Sequence, residues 1–428
     1  MSPAAAEPAN PSGPGRGPSA TGGLAAVRAW WCEPRLTWWF VVLVAALLAL
    51  RKPWALHTPQ LHAEDGTIFL TQNDGWGAVA IVRPYMGYLL LLPRLIAWTA
   101  SHVADVAWWP AIYNGAAFAI AVAMIARLAS PRLAVPGKPW LALAFAFVAH
   151  TGEVFFTITN LHWLTAFFLL QHVLMARPAT WRQRGVDLAI LGLVGLTGPF
   201  SIVFLPLFAW RAWRDRHGDA LAALLVVAAC AGVQAWFVVT TGVRFDYQSL
   251  PFHPGMFFAV VGARLVTWSV LGAGGALALP VAALTAIGGG FVLALLLWAL
   301  RPGPLRAVRA PIVAAFVLIL ASVVYRLRPD TWDMPNIVNG DRYFYVPRVL
   351  LAWLLIWEFN AAPQAIAWAA RALCLVGALA NLPHYVLPAP RDYHWAQRCE
   401  PIRRGVSADI PTLPEGWTLE YRGRPAPK

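Results

Sequence analysis

Apolar residues come in long runs that recur along the whole chain, separated by short polar stretches. A helix crossing a bilayer needs ~20 mostly apolar residues, because the hydrocarbon core is ~30 Å thick. Runs of this kind predict spans near Leu36–Leu50, Trp109–Leu128, Trp140–Phe156, Leu161–Met175, Leu188–Trp210, Leu221–Thr240, Leu277–Leu300, Ile312–Tyr325, Val346–Trp357 and Ile366–Leu382. The run Leu188–Trp210 contains Gly198, Pro199 and Pro206, so it is expected to be a broken or hairpin helix, since Pro removes a ladder hydrogen bond. Met86–Ala104, interrupted by Pro93, and Met256–Leu271 are expected to lie along the interface or to re-enter. The predicted fold class is all-α, a polytopic transmembrane helical bundle.

Composition agrees with the pattern. Hydrophobic residues make up 59% of the chain and charged residues 12%, with a mean hydropathy of +0.57. A soluble domain carries ~25% charged residues. The net charge of +13 would suggest nucleic acid in a soluble protein. Here no basic stripe is interleaved with aromatics, so nucleic acid is not expected as a partner, and the charge is assigned to loops and to membrane lipids. The four cysteines lie far apart, without zinc-ligand spacing and without a disulfide framework.

Charge also predicts sidedness. Arginine and lysine cluster at Arg127/Arg132/Lys138, Arg177/Arg182/Arg184, Arg211/Arg214/Arg216 and Arg301/Arg306/Arg309. Cytoplasmic loops carry such an excess. Glu64, Asp65, Asp74, Asp105, Glu153, Asp246, Asp330, Asp333 and Asp341 then fall on the opposite side. Arg51 and Lys52, just after the first span, are an exception to the rule. Tryptophans at run ends, such as Trp38, Trp39, Trp108, Trp109, Trp140 and Trp357, suit interfacial belts. The organisation expected is a disordered cytoplasmic tail (1–28), a transmembrane domain (29–383) with about 9–12 spans, and an extracytoplasmic C-terminal tail (384–428).

The stretch with most chemistry is Leu61-His62-Ala63-Glu64-Asp65-Gly66, directly beyond the first span. Two carboxylates at a membrane face are costly to desolvate. They suit a general base or a cation site. Adjacent helical residues point in different directions, so one is expected to face a substrate and the other to accept backbone N–H groups or pair with a cation. As a purely structural alternative, the pair caps the helix that begins at Thr67.

LHAEDGTIFL (Leu61–Leu70) is followed by Arg83-Pro84-Tyr85-Met86-Gly87-Tyr88 and Leu92-Pro93-Arg94-Leu95, then by EVFFTITNLHW (Glu153–Trp163), GPFSIVFLP (Gly198–Pro206), DRYFYVP (Asp341–Pro347) and the tail Tyr393–Trp417. This ordered set resembles bacterial multi-spanning proteins of the GT-C glycosyltransferase superfamily. The resemblance implies a multi-pass protein of the bacterial plasma membrane, with an acidic pair and juxtamembrane helices in its first extracytoplasmic loop. It implies inverting transfer of a sugar from a polyprenyl-phosphate donor to an envelope glycan or lipid acceptor, outside the membrane. Asp65, or else Glu64, would be the base. Arg342, Arg94, Arg83 and Arg348 would be candidates for the donor phosphate, which arginine grips through a planar fork of N–H donors; Arg83 and Arg94 equally suit snorkelling to a lipid headgroup. His62, Asn160, His162, Tyr343 and Tyr345 would be candidates for acceptor or sugar. The need for a divalent cation stays open. Two other classes fit a polytopic chain. A lipid or glycan transporter or flippase requires mid-membrane charges and paired broken helices. A non-catalytic envelope assembly protein would be favoured if Glu64 and Asp65 faced lipid or solvent with no cavity beside them.

Overall fold

The computed structural model describes residues 37–241, 252–303, 305–326 and 332–424; the tail expected to be disordered, 1–28, lies outside them, as do Asp246 and Asp330. The main helices are α1 (Trp38–Arg51), α2 (Leu91–Val103), α3 (Trp109–Arg127), α4 (Lys138–Phe147), α5 (Leu161–Leu174), α6 (Trp181–Gly195), α7 (Phe200–Asp215) and α8 (Gly218–Thr240). They continue with α9 (Pro254–Ala278), α10 (Val281–Leu300), α11 (Arg306–Arg326), α12 (Arg342–Ala361) and α13 (Gln364–Asn381). Among the described residues six helical segments are long and apolar enough to cross a membrane: Val106–Arg127, Gly218–Thr240, Pro254–Ala278, Val281–Leu300, Arg306–Val324 and Gln364–His384. The chain is an all-α polytopic membrane protein. Its centre is an aromatic core in which Phe145 of α4 meets Phe167 of α5 at 4.8 Å and Trp353 of α12 at 5.6 Å.

Several predicted spans are remade. The run Trp140–Phe156 is helical only to Phe147, because His150-Thr151-Gly152-Glu153 interrupts it and Gly152 takes φ +87°. Leu188–Trp210, expected to be broken, is split between α6 and α7. The turn between them uses Gly198 at φ +95°, where a Cβ would lie 2.7 Å from that of His162. The segment Met86–Ala104 yields α2, only 13 residues and too short to cross. Met256–Leu271 falls in α9, which is long enough to cross, whereas an interfacial or re-entrant segment was expected; it turns sharply at Gly272, φ +75°. Gly262 of α9 and Gly288 of α10 let the two backbones touch, since a Cβ on Gly262 would sit 2.0 Å from the Leu284 carbonyl oxygen. Small residues at such crossings are how membrane helices pack closely. Trp38, Trp39 and Trp108 are exposed on the apolar flank, but Trp357 is buried and donates to the Pro136 carbonyl at 3.1 Å.

Residues 148–160, between α4 and α5, are irregular and mostly buried. Backbone groups at this depth must be satisfied within the protein. Charged side chains do it. Arg51 donates to the Ala146 and His150 carbonyls at 3.0 Å each, and Lys52 to Phe155 at 3.0 Å. Arg348 donates to the Ala149 carbonyl at 2.8 Å, and Asp341 accepts the Thr151 N–H at 2.7 Å. This explains the exception to the charge rule: Arg51 and Lys52 are buried struts rather than surface cations.

The tail adds a small β-hairpin, β1 (Ala408–Thr412) and β2 (Trp417–Tyr421), paired antiparallel with Ile410 opposite Leu419. It seats on the first loop. Leu413 N–H donates to the Leu61 carbonyl at 3.0 Å, Ala63 N–H donates back to Leu413, and Tyr421 hydroxyl donates to Asp74 at 2.5 Å. Gly66 faces Thr412 and Leu419, which lie 3.6 and 3.7 Å from where a Cβ would stand, ordinary packing distances.

Candidate active site

A π-helical turn, Asp65–Leu70, opens the segment that carries the acidic pair, and neither carboxylate caps it. Asp65 instead points across the fold and is fully buried. Its Oδ1 accepts the Thr159 N–H at 2.9 Å, the Thr159 hydroxyl at 2.7 Å and the Thr157 hydroxyl at 3.3 Å. Its Oδ2 is buried and has no hydrogen-bond partner among the described residues. Burial pushes this carboxyl up to about 7, against the pull of the Thr159 donors, and the neighbouring Glu64 raises it further. Glu64 is half-buried and accepts the Tyr85 hydroxyl at 3.2 Å. The pair thus divides into one carboxyl anchored by an adjacent loop and one held near the surface by a phenol.

Arg342, at the start of α12, donates to Glu153 at 2.9 Å and to the Tyr343 hydroxyl at 3.1 Å, and its side chain is 30% exposed. A row of rings runs from there to the acidic loop. Tyr343 lies 5.5 Å from Trp163, Trp163 5.2 Å from Phe200, Phe200 6.3 Å from His162, and His162 6.2 Å from Tyr88. Tyr88 and Tyr85 then pair through two backbone hydrogen bonds. The charge of Arg342 reaches the other end of this row. It draws down the Tyr85 hydroxyl, which burial and Glu64 otherwise hold well above its ordinary range. It also acts with burial and Lys52 to lower His62 to about 3, leaving that imidazole neutral.

The sequence candidates therefore fall into two groups. Glu64, Asp65, His62, His162, Tyr343 and Arg342 gather around this row. Arg94 belongs beside it: the residue is 2% exposed, its guanidinium lies 5.2 Å from the Phe69 ring, and it donates to no acceptor among the described residues. The others sit apart. Arg348 is spent on Asp341 at 2.5 Å and on the Ala149 and Arg264 carbonyls. Tyr345 is buried and donates to the Phe145 carbonyl at 3.0 Å. Asn160 donates to the Glu153 carbonyl at 2.8 Å and so shapes the loop. Arg83 is exposed and stacks on Trp76 at 5.2 Å. Among the described residues no group of three His, Cys, Asp or Glu is placed to hold a metal ion.

Backbone strain marks the same place. Five described non-glycine residues have positive φ, and three border this site: Ala63 at +47°, Met86 at +50° and Phe156 at +61°. Such residues cost about 1–3 kcal/mol each and cluster at functional sites. Thr157, Thr159, Glu153 and Tyr85 are site residues that the sequence reading did not single out. The signal was faint: two threonines alternate in an otherwise apolar run, and Tyr85 brackets a turn with Tyr88. No protein-family model, no curated protein and no solved structure matches this chain.

Proposed function

We propose that the protein is a membrane glycosyltransferase that moves a sugar from a polyprenyl-phosphate donor to a glycan or lipid acceptor at the extracytoplasmic face. One observation carries this reading. Asp65 is fixed through one carboxylate oxygen by three donors, while its other oxygen is buried and unpartnered. A base for a sugar hydroxyl has this form: rigid, desolvated, and with a free lone pair, since a positioned base works best when its pKa lies near ambient pH. Arg342 and Arg94 are the cations assigned to the donor phosphate, and the row Tyr343–Trp163–Phe200–His162–Tyr88 supplies apolar faces for a sugar ring or an isoprenoid. In this reading Asp65 takes the acceptor hydroxyl proton as the oxygen attacks the anomeric carbon. The lipid phosphate leaves, held by arginine.

The test is transfer in proteoliposomes from a panel of polyprenyl-phosphate sugars, wild type against Asp65→Asn. Product from at least one donor, lost in the variant, is expected. Folded wild-type protein that transfers from no donor would defeat the proposal.

A further inference from the structure

At the opposite end of the bundle from the acidic loop, a second cluster of charge lies inside the apolar helices. Glu358 of α12 is buried and accepts from Trp298 Nε1 at 2.8 Å, Arg309 at 2.6 Å and Arg301 at 2.9 Å. Two arginines against one carboxylate leave an excess of one positive charge. Arg309 is 3% exposed, and its Nε has no hydrogen-bond partner among the described residues. Arg301 keeps 29% of its side chain exposed and shares only one nitrogen with Glu358.

This cluster ends a groove of about 570 Å³ between α10 and α13, with α12 as its floor. Leu297, Leu300, Leu355, Ile366 and Leu373 line it, and Arg301 and Glu358 are its charged members. Leu297, Leu300, Ile366 and Leu373 are among the exposed apolar residues of the bundle flank, so the groove opens where acyl chains lie. A charged group inside a membrane protein is costly and marks a functional site by default.

We propose that this groove holds one anionic glycerophospholipid, an acyl chain against the leucines and the phosphate on Arg301. Glu358 fixes the arginines in place, and the uncompensated positive charge selects a headgroup of net negative charge over a zwitterionic one. This site is separate from the acidic loop and does not depend on the activity proposed there.

Native mass spectrometry of the purified chain, with phosphatidylglycerol and phosphatidylcholine in competition, tests it. Wild type should retain one phosphatidylglycerol, preferred by about fivefold, which is what one interfacial arginine supplies. Arg301→Gln should abolish the preference, and Arg301→Lys should restore it. Ala369→Trp, at an exposed groove position, should expel either lipid without touching the charges. Equal retention of both lipids by wild type, or an undiminished preference in Arg301→Gln, would overturn the headgroup assignment. Unchanged retention by Ala369→Trp would overturn the groove itself.

Discussion

Thr159 donates both its backbone N–H, at 2.9 Å, and its hydroxyl, at 2.7 Å, to a single oxygen of Asp65. The two residues are 94 positions apart. The consequence is a carboxyl with a fixed half and a free half. Asp65→Asn keeps Oδ1 as the acceptor for Thr157 and Thr159 but cannot take a proton. It should fold and insert normally and lose about 10²–10⁴-fold in transfer rate. Glu64→Gln is the control. If it alone silences the protein, Glu64 is the base. Full activity in both single variants and in the double variant ends the case for catalysis at this loop.

The acidity of Asp65 sets a pH profile. The base acts when deprotonated, so transfer should rise with pH and level off above about 7. Its folded value lies above its ordinary value of 3.8. Between those two values the folded chain holds a proton that the unfolded chain has released. Stability should therefore fall as pH rises through that window, by at most about 1.4 kcal/mol per unit, and be flat above it. Thr159→Val deletes a donor that favours the charged form. It should move the activity limb to higher pH while sparing the plateau rate, a shift that a purely structural threonine would not produce.

Arg342 and Arg348, half a dozen residues apart on α12, should fail in different ways. Arg342 is partly exposed, so Arg342→Ala should weaken donor binding by about 2 kcal/mol, the low end for a charged contact. Its thermal midpoint should barely move. Arg348→Ala strands Asp341 in the core and should cost about 3–5 kcal/mol of stability. Thermal unfolding in detergent, beside donor titration, separates the two. Collapse of Arg342→Ala with unchanged donor binding in the surviving protein would make Arg342 structural.

The bundle was legible because hydropathy is a local signal: α3, α8, α10 and α13 stand close to the runs that predicted them. The site was legible only in part. His62, Glu64, Asp65, His162, Arg342 and Tyr343 carry visible chemistry at segment ends. Their partners do not, because the pairing is made by the fold. Residues 148–156 read as the end of a span since apolar residues flank the short polar stretch His150–Glu153 on both sides. They are irregular because Arg51, Lys52, Asp341 and Arg348 arrive from distant segments to satisfy their backbone. No window of sequence contains that information. The hairpin was not anticipated in the tail, although Pro414-Glu415-Gly416 is a turn signal between its two short strands.

Sidedness is directly testable. The tail hairpin sits on the first loop, so both must share one face of the membrane. Val79→Cys, on the exposed surface of that loop, should be labelled by an impermeant maleimide on intact cells. Arg306→Cys should be labelled only after lysis. The reverse pattern would invert the proposed orientation and place Asp65 in contact with the cytoplasm.

Arg94 gives the sharpest contrast between stability and function. Its guanidinium is buried against Phe69, has no carboxylate partner among the described residues, and is drawn down to about 10 by burial. A buried charge without a counter-charge is a burden on the fold. Replacing buried charges by apolar side chains of similar volume often stabilises by about 1–4 kcal/mol. Arg94→Met should therefore raise the thermal midpoint, since Met fills the space and removes the desolvation cost. If Arg94 serves the donor phosphate, the same variant should lose donor affinity as stability rises, and Arg94→Lys should recover part of that affinity because the charge returns without the planar fork. A more stable variant with unchanged donor binding would remove Arg94 from the site. A less stable one would show that the guanidinium is held by interactions the fold requires.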